Sequence, residues 1–316
     1  MKVVVSARLP GRIRQILDGH EIVEPAAGRF DEAQLRALLM DADALLALLL
    51  VRVDEALLAG APRLRIVANY AVGYDNVDVA AATRRRVVVT NTPGVLTAAT
   101  ADLTMALMLA AARRLGEGRA LLDAGWRGWE PEQLVGLDLD GAQLGLVGLG
   151  RIGRAVAERA RAFGLTIVYS APRVIEGEDA SARHVPLDEL LATSDVVSLH
   201  CPLDATTRHL IGARELALMK PRAILVNTAR GPIVDEAALA AALDRGHLGG
   251  VGLDVFEHEP RVTPGLLAHP RAILAPHLGS ATRGTRARMA EAAAQSIADL
   301  FAGRRPSSVV NPEALG

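Results

Sequence analysis

One cysteine, Cys201, stands in this 316-residue chain, which leaves no room for an intrachain disulfide or a cysteine-cluster metal site. Aromatic residues make up only 3%, so a core drawn from a 50% hydrophobic composition must be aliphatic and rich in alanine. Lysine is almost missing. Lys2 and Lys220 are the only two, which argues against Schiff-base chemistry and leaves positive charge to arginine. The formal net charge is −1 and no basic block occurs, so the electrostatic footprint of a nucleic-acid binder is lacking. The apolar run Ala44–Val51 falls far short of the ~20 residues that span a membrane. The opening Met1–Arg8 is too short an apolar run for a signal peptide, and the cytoplasm is the expected compartment.

The chain does carry two sets of alternating short strands and helices, and its length suits two domains. Strands are expected at Lys2–Ala7, Ala44–Leu50, Leu64–Asn69 and Val87–Asn91, with helices near Gly11–Leu17, Asp31–Met40 and Asp54–Ala59. A second set starts at Leu144 and continues through Leu165–Tyr169, Val196–Leu199, Ala223–Asn227, Gly250–Asp254 and Ala272–Leu274. Continuous apolar strands suit parallel sheets buried on both faces. Two long helical patterns, Thr100–Leu115 and Arg283–Phe301, complete the chain. The expected fold class is α/β, with two doubly wound parallel-sheet domains.

The most informative stretch is Gln143–Arg154, a short apolar strand followed by G-x-G-x-x-G and a helix through about Phe163. Gly148 allows a tight turn, Gly150 leaves space for a pyrophosphate, and Gly153 lets helix and strand approach. With Leu149, Arg151 and Ile152, these residues form the expected phosphate-binding loop at a helix N-terminus. Three further segments follow expected strands: Asn227-Thr228-Ala229-Arg230-Gly231, Asp254–Pro260 and Pro276–Ala281. Ligands bind at that edge of an open α/β sheet.

Together with Asn69–Asn76, Thr90–Val95 and Ala101–Leu103, these segments resemble the D-isomer-specific 2-hydroxyacid dehydrogenase family nearly end to end. Within it they are most similar to glyoxylate/hydroxypyruvate reductases. The resemblance implies a Rossmann cofactor domain, 99–286, inserted in a flavodoxin-like substrate domain, 1–98 plus 287–316. The implied reaction is NADPH-dependent reduction of a small 2-keto acid, glyoxylate or hydroxypyruvate, to the D-2-hydroxy acid. Hydride transfer to a keto carbon builds negative charge on its oxygen, and His277 suits the proton donor. A carboxylate beside such an imidazole favours its protonated form. The resemblance gives that role to Glu259, next to Pro260, with Glu257 the nearest rival. Arg230 offers the planar bidentate cation that a substrate carboxylate needs.

By resemblance, the N–H groups of Val72 and Gly73 hold that carboxylate from the other domain, and Asp254 faces the nicotinamide amide. Thr228, Ala229, His277 and Gly279 complete the expected cofactor contacts. Thr100 reads equally as a nicotinamide-pocket residue or a helix N-cap. His200-Cys201-Pro202 resembles the loop beside the adenosine, with Cys201 packing rather than reacting. Trp126 and Trp129 resemble an arm that packs on a second subunit of a homodimer; ordinary core burial is the other reading.

An NAD site usually places an acid at the end of the second strand, on the ribose hydroxyls. Here that strand runs into Ser170-Ala171-Pro172-Arg173, where Ser170 repels no 2′-phosphate and Arg173 suits one. Both favour NADP. Acidic Glu176, Glu178 and Asp179 just beyond, and Arg173 as a solvated loop residue, keep NAD open. Other open functions are an NAD-dependent dehydrogenase of another 2-hydroxy acid or of phosphite and, from a different class, a dinucleotide-sensing corepressor.

Overall fold

The computed structural model describes residues 1–174 and 182–315. The chain divides into two compact units, Met1–Leu96 with Ala281–Gly316, and Thr97–Ser280. Both crossings fall before a helix rather than within one. The second therefore lies earlier than the expected 286/287, and the whole helix Arg283–Phe301 goes with the first unit.

The first unit is built on strands β1 (Lys2–Val5), β2 (Glu21–Val23), β3 (Ala44–Ala47), β4 (Ile66–Asn69) and β5 (Val88–Thr90). They pair in parallel in the order β2-β1-β3-β4-β5, the flavodoxin-like order. Period-two alternation sends Val3, Val5, Leu46 and Ile66 to one face and Val4, Leu45 and Val67 to the other. The first face is covered by the helix Arg283–Phe301, through Ala290, Ala293, Ala294 and Ile297. Its small alanines let helix and sheet approach closely, as the shortage of aromatics requires. Thr282 caps it by accepting the Thr285 N–H at 3.2 Å.

The second unit carries β6 (Gln143–Val147), β7 (Thr166–Ser170), β8 (Ala182–His184), β9 (Val196–Leu199), β10 (Ile224–Asn227), β11 (Gly250–Leu253) and β12 (Ala272–Leu274). All pairs are parallel, in the order β12-β11-β10-β9-β6-β7-β8. That is the Rossmann order with one strand added, and its switch point lies between β6 and β9. Helices Thr97–Ala112 and Arg151–Ala162 share one face with Leu144, Leu146 and Val226. Helices Leu187–Thr193 and Glu236–Asp244 cover the other, against Val197, Leu199 and Leu225.

Two expectations change. The long helix is Thr97–Ala112 rather than Thr100–Leu115, because Arg114 turns into the left-handed region at φ +53° and a separate helix, Leu115–Asp123, begins. Edge strands β2 and β8 were not anticipated. Neither is fully buried, so neither carries the continuous apolar run that marks a central parallel strand. Among the described residues, no helix is long and apolar enough to cross a membrane.

Candidate active site

The glycine loop sits at the switch point of the second unit. Val147 pairs with Ser170 on one side and Leu199 on the other, so the chain leaves β6 between two neighbouring strand ends. Gly148 turns at φ +95°, with its N–H donating to Ser170 O at 2.8 Å. A Cβ there would lie 2.9 Å from the backbone of His200 and Cys201. A Cβ on Gly153 would meet Gly148 O at 2.5 Å, which ties helix Arg151–Ala162 closely to the turn. At Gly150, the N-cap, a Cβ would meet nothing within 4 Å. The loop thus offers open space in front of a helix N-terminus whose first N–H groups lack intrahelical acceptors, which fits a pyrophosphate. Leu149 is buried beneath it, its carbonyl accepting from Arg154 Nε at 3.1 Å.

Ser170 ends β7 beside this turn, and Arg173 lies exposed three residues on. The loop between them is fixed by His184 Nε2, 3.0 Å from Ala171 O. Glu176, Glu178 and Asp179 lie outside the described residues.

His277 adopts a left-handed backbone, φ +55°, an uncommon state for a residue with a Cβ. Asp254 holds it there. The Asp254 carbonyl accepts the His277 N–H at 2.8 Å. The carboxylate takes the N–H of Leu278 at 2.5 Å and of Gly279 at 2.8 Å. Thr100 Oγ1 donates to Gly279 O at 3.1 Å from the other side. Thr100 stands inside its helix, so the N-cap reading is excluded. Burial pushes the Asp254 carboxyl above its usual range, against the opposing pull of those two N–H donors.

Fixed in this way, His277 places Nδ1 2.9 Å from Glu259 Oε2. Glu259 Oε1 accepts the Phe256 N–H at 3.1 Å, which orients the carboxylate. Burial pushes Glu259 up, but the hydrogen bond and charge of His277, the Phe256 N–H and the Arg230 charge hold it below the usual carboxylate range. The rival Glu257 faces away, with Oε1 2.6 Å from His209 Nε2. Arg230 follows β10 and is half-buried; Asn227 Nδ2 donates to its carbonyl at 2.9 Å. The Ala229 N–H reaches Asn227 Oδ1 at 3.0 Å, and Thr228 Oγ1 lies 2.8 Å from Thr104 Oγ1. The second unit therefore brings His277, Glu259, Asp254, Gly279 and the field of Arg230 into one constellation.

In the first unit, Val72 and Gly73 follow β4. Asn91 Nδ2 donates to Val72 O and Asn69 Nδ2 to Gly73 O, both at 2.8 Å. Asn76 braces Asn69 through paired amides at 3.1 and 3.3 Å and donates to Val51 O at 3.0 Å. Both carbonyls are thus pinned, while the N–H groups of Val72 and Gly73 donate to no other described residue. Such a pair of oriented amides suits an anion. Sequence reasoning missed the three asparagines, although all lie in segments it had singled out.

Cys201 is half-buried, and burial pushes its thiol up to about 11, which fits packing rather than reactivity. Trp126 and Trp129 are 48% and 77% exposed, which rules out the core-burial reading.

A seven-stranded Rossmann sheet with a fitted glycine turn, and a histidine–carboxylate pair at its strand ends, defines a dinucleotide-dependent α/β oxidoreductase. Residues 105–279 match the NAD-binding domain of the D-isomer-specific 2-hydroxyacid dehydrogenases. The chain belongs to that family and is an NAD(P)-dependent oxidoreductase. It is 49% identical to the glyoxylate reductase of Thermococcus litoralis, over 87% of this chain and 85% of that one. A solved structure from Thermus thermophilus matches with a TM-score of 0.92 at 47% identity, covering 98% of this chain and all of that one. The NADPH-dependent glyoxylate/hydroxypyruvate reductase of Sinorhizobium meliloti, solved with NADP and malonate, matches with a TM-score of 0.86 at 34% identity, over 99% and 97% of the two chains.

Proposed function

We propose that this enzyme reduces glyoxylate or hydroxypyruvate to the D-2-hydroxy acid with NADPH, and that His277 delivers the proton. The observation that carries the reading is the His277–Glu259 pair at 2.9 Å on a strained, carboxylate-held loop. Glu259 occupies Nδ1, which leaves Nε2 as the nitrogen that presents the proton to the keto oxygen. The anion stabilises the imidazolium until the proton is given up. When bound, the reduced nicotinamide supplies the hydride. Gly148–Gly153 would cradle its pyrophosphate, Thr228, Ala229, Asp254 and Gly279 would lie toward the nicotinamide, and Arg230 would hold the substrate carboxylate. Val72 and Gly73 are the proposed carboxylate donors of the first unit, their carbonyls already pinned by asparagine amides.

Ser170 at the end of β7, where an acid would disfavour a 2′-phosphate, supports NADPH, and exposed Arg173 is its proposed partner. The names of the relatives above support the keto acid. The exposed Trp126 and Trp129 support an arm that packs on a second subunit in a homodimer. A panel of 2-keto acids assayed with NADPH and NADH by loss of nicotinamide absorbance tests the reading. Glyoxylate and hydroxypyruvate should lead, with NADPH. His277→Ala should lower kcat by ~10²-fold or more, the scale of a lost general acid. A His277→Ala enzyme of near-normal kcat would reject the proton donor.

A further inference from the structure

Glu259 sits on Phe256–Val262, a stretch of turns closed by an isolated bridge between His258 and Arg261, and its distance to His277 depends also on what anchors the two ends of that stretch. The carboxylate that meets both ends belongs to Glu236, in the first turn of the helix Glu236–Asp244 and only 3% exposed. Its Oε1 accepts the Glu257 N–H at 2.6 Å. Its Oε2 accepts from Thr263, the hydroxyl at 2.5 Å and the N–H at 3.3 Å. One buried carboxylate thus grips the loop on both sides of Glu259. The Glu236 N–H answers to Glu257 Oε2 at 3.4 Å, and Glu257 Oε1 is held by His209. Gly231, next to Arg230, presses on the same loop; a Cβ there would lie 1.9 Å from the carbonyl of Phe256. The chain from Arg230 to Glu236 is therefore a short bracket with the Glu259 loop seated against it.

We propose that Glu236 is a positioning residue for the Glu259–His277 pair, clamping the loop so that Glu259 meets Nδ1 in register with Arg230. The inference rests on the proton-donor role given to His277 above. Charged groups near Glu259 are His277, Arg230 and Asp254. Among the described residues, the Glu236 carboxylate meets donors from Glu257 and Thr263 only, so it acts through geometry rather than as a further charge on the pair.

The test compares Glu236→Gln, Glu236→Asp, Thr263→Val, Glu259→Gln and the double variant Glu236→Gln/Glu259→Gln in the full-length enzyme. A glutamine can accept on one arm only, and its amide turns N–H toward N–H on the other. In Glu236→Gln, kcat/KM for the keto acid should fall about tenfold, within the ~10²-fold that a 1 Å misplacement costs. The alkaline limb of its pH profile should move to lower pH, as in Glu259→Gln but by less. Cofactor Kd, read by fluorescence, should stay within about twofold, since the clamp touches no part of the glycine loop. Glu236→Asp and Thr263→Val should fall between wild type and Glu236→Gln, and Thr263→Val carries the test if Glu236→Gln does not fold. In the double variant, the Glu236 change should add no further pH shift. If Glu259→Gln shifts the profile while folded Glu236→Gln and Thr263→Val do not, the inference falls and the proton-donor reading stands. A lower melting temperature with an unmoved profile, or additive shifts in the double variant, also overturns it. If Glu259→Gln leaves the profile unmoved, the pair itself fails and the inference goes with it.

Discussion

Replacing Glu259 by glutamine keeps the shape of the His277 loop and removes one charge. The carboxylate lies 2.9 Å from His277 Nδ1, with the two side chains 27% and 35% exposed. At ~4 Å between charge centres, the attraction runs from about 1 kcal/mol in water to about 4 kcal/mol at an effective dielectric constant near 20. Solvent reaches both side chains, so the lower part of that range applies, about 1–2 kcal/mol. Keto-acid reduction consumes a proton held on His277. The alkaline limb of kcat/KM should therefore move toward acid. Cofactor affinity should hold, and at low pH most of the rate should return. Initial rates at saturating NADPH from pH 5 to 9, with protein-bound cofactor measured in parallel, read this directly. A limb that stays in place in a folded, cofactor-binding variant would refute the pairing as the source of the imidazolium's stability.

The same pair makes a stability statement with the sign fixed by Glu259. Its carboxyl is held below its ordinary value in the folded enzyme, despite burial. Its stabilising contribution is therefore complete above the unfolded carboxyl range and is lost as pH falls through the lower folded value. The difference in melting temperature between wild type and Glu259→Gln should shrink as pH drops below ~4.

Arg230→Lys should lower kcat/KM for keto acids about 10- to 100-fold, the scale of a lost charged hydrogen bond, with cofactor Kd intact; near-normal kcat/KM would reject Arg230 as the carboxylate clamp. Ser170→Asp should turn preference toward NADH by about tenfold, through repulsion of the 2′-phosphate, and Arg173→Ala should weaken NADPH more than NADH. A wild type that already prefers NADH, or an Arg173→Ala enzyme weakened equally for both, would overturn the cofactor assignment. Asn91→Ala frees the Val72 carbonyl and should raise KM for the keto acid roughly fivefold at little cost to kcat, the worth of about one hydrogen bond. A change in kcat alone would place Asn91 elsewhere in the reaction.

Elements with strong local signals follow from the amino-acid order alone. Central strands such as Ala44–Ala47 and Ile224–Asn227 are legible because burial on both faces demands a continuous, mostly apolar run. The helix Arg283–Phe301 is legible from its period, and Gly148, Gly150 and Gly153 from the space and turn a dinucleotide loop requires. Edge strands β2 and β8 are not, since a half-exposed strand has neither run nor alternation long enough to stand out. Arg230, His277 and Glu259 stand out by resemblance, which prefers Glu259 to Glu257 for its place before Pro260, but the contact itself, 2.9 Å to His277 Nδ1, comes from the fold. The two glutamates lie two residues apart in an irregular loop, where no periodicity says which way a side chain turns. Glu236 is invisible for a related reason: in the sequence it is one acid near the start of a helix. Its burial, and its grip on Glu257 and Thr263 more than twenty residues away, exist only once β10 and β11 lie side by side and bring their following loops together. Local chemistry fixes which groups are available; the packing of the strands and their loops decides which of them meet.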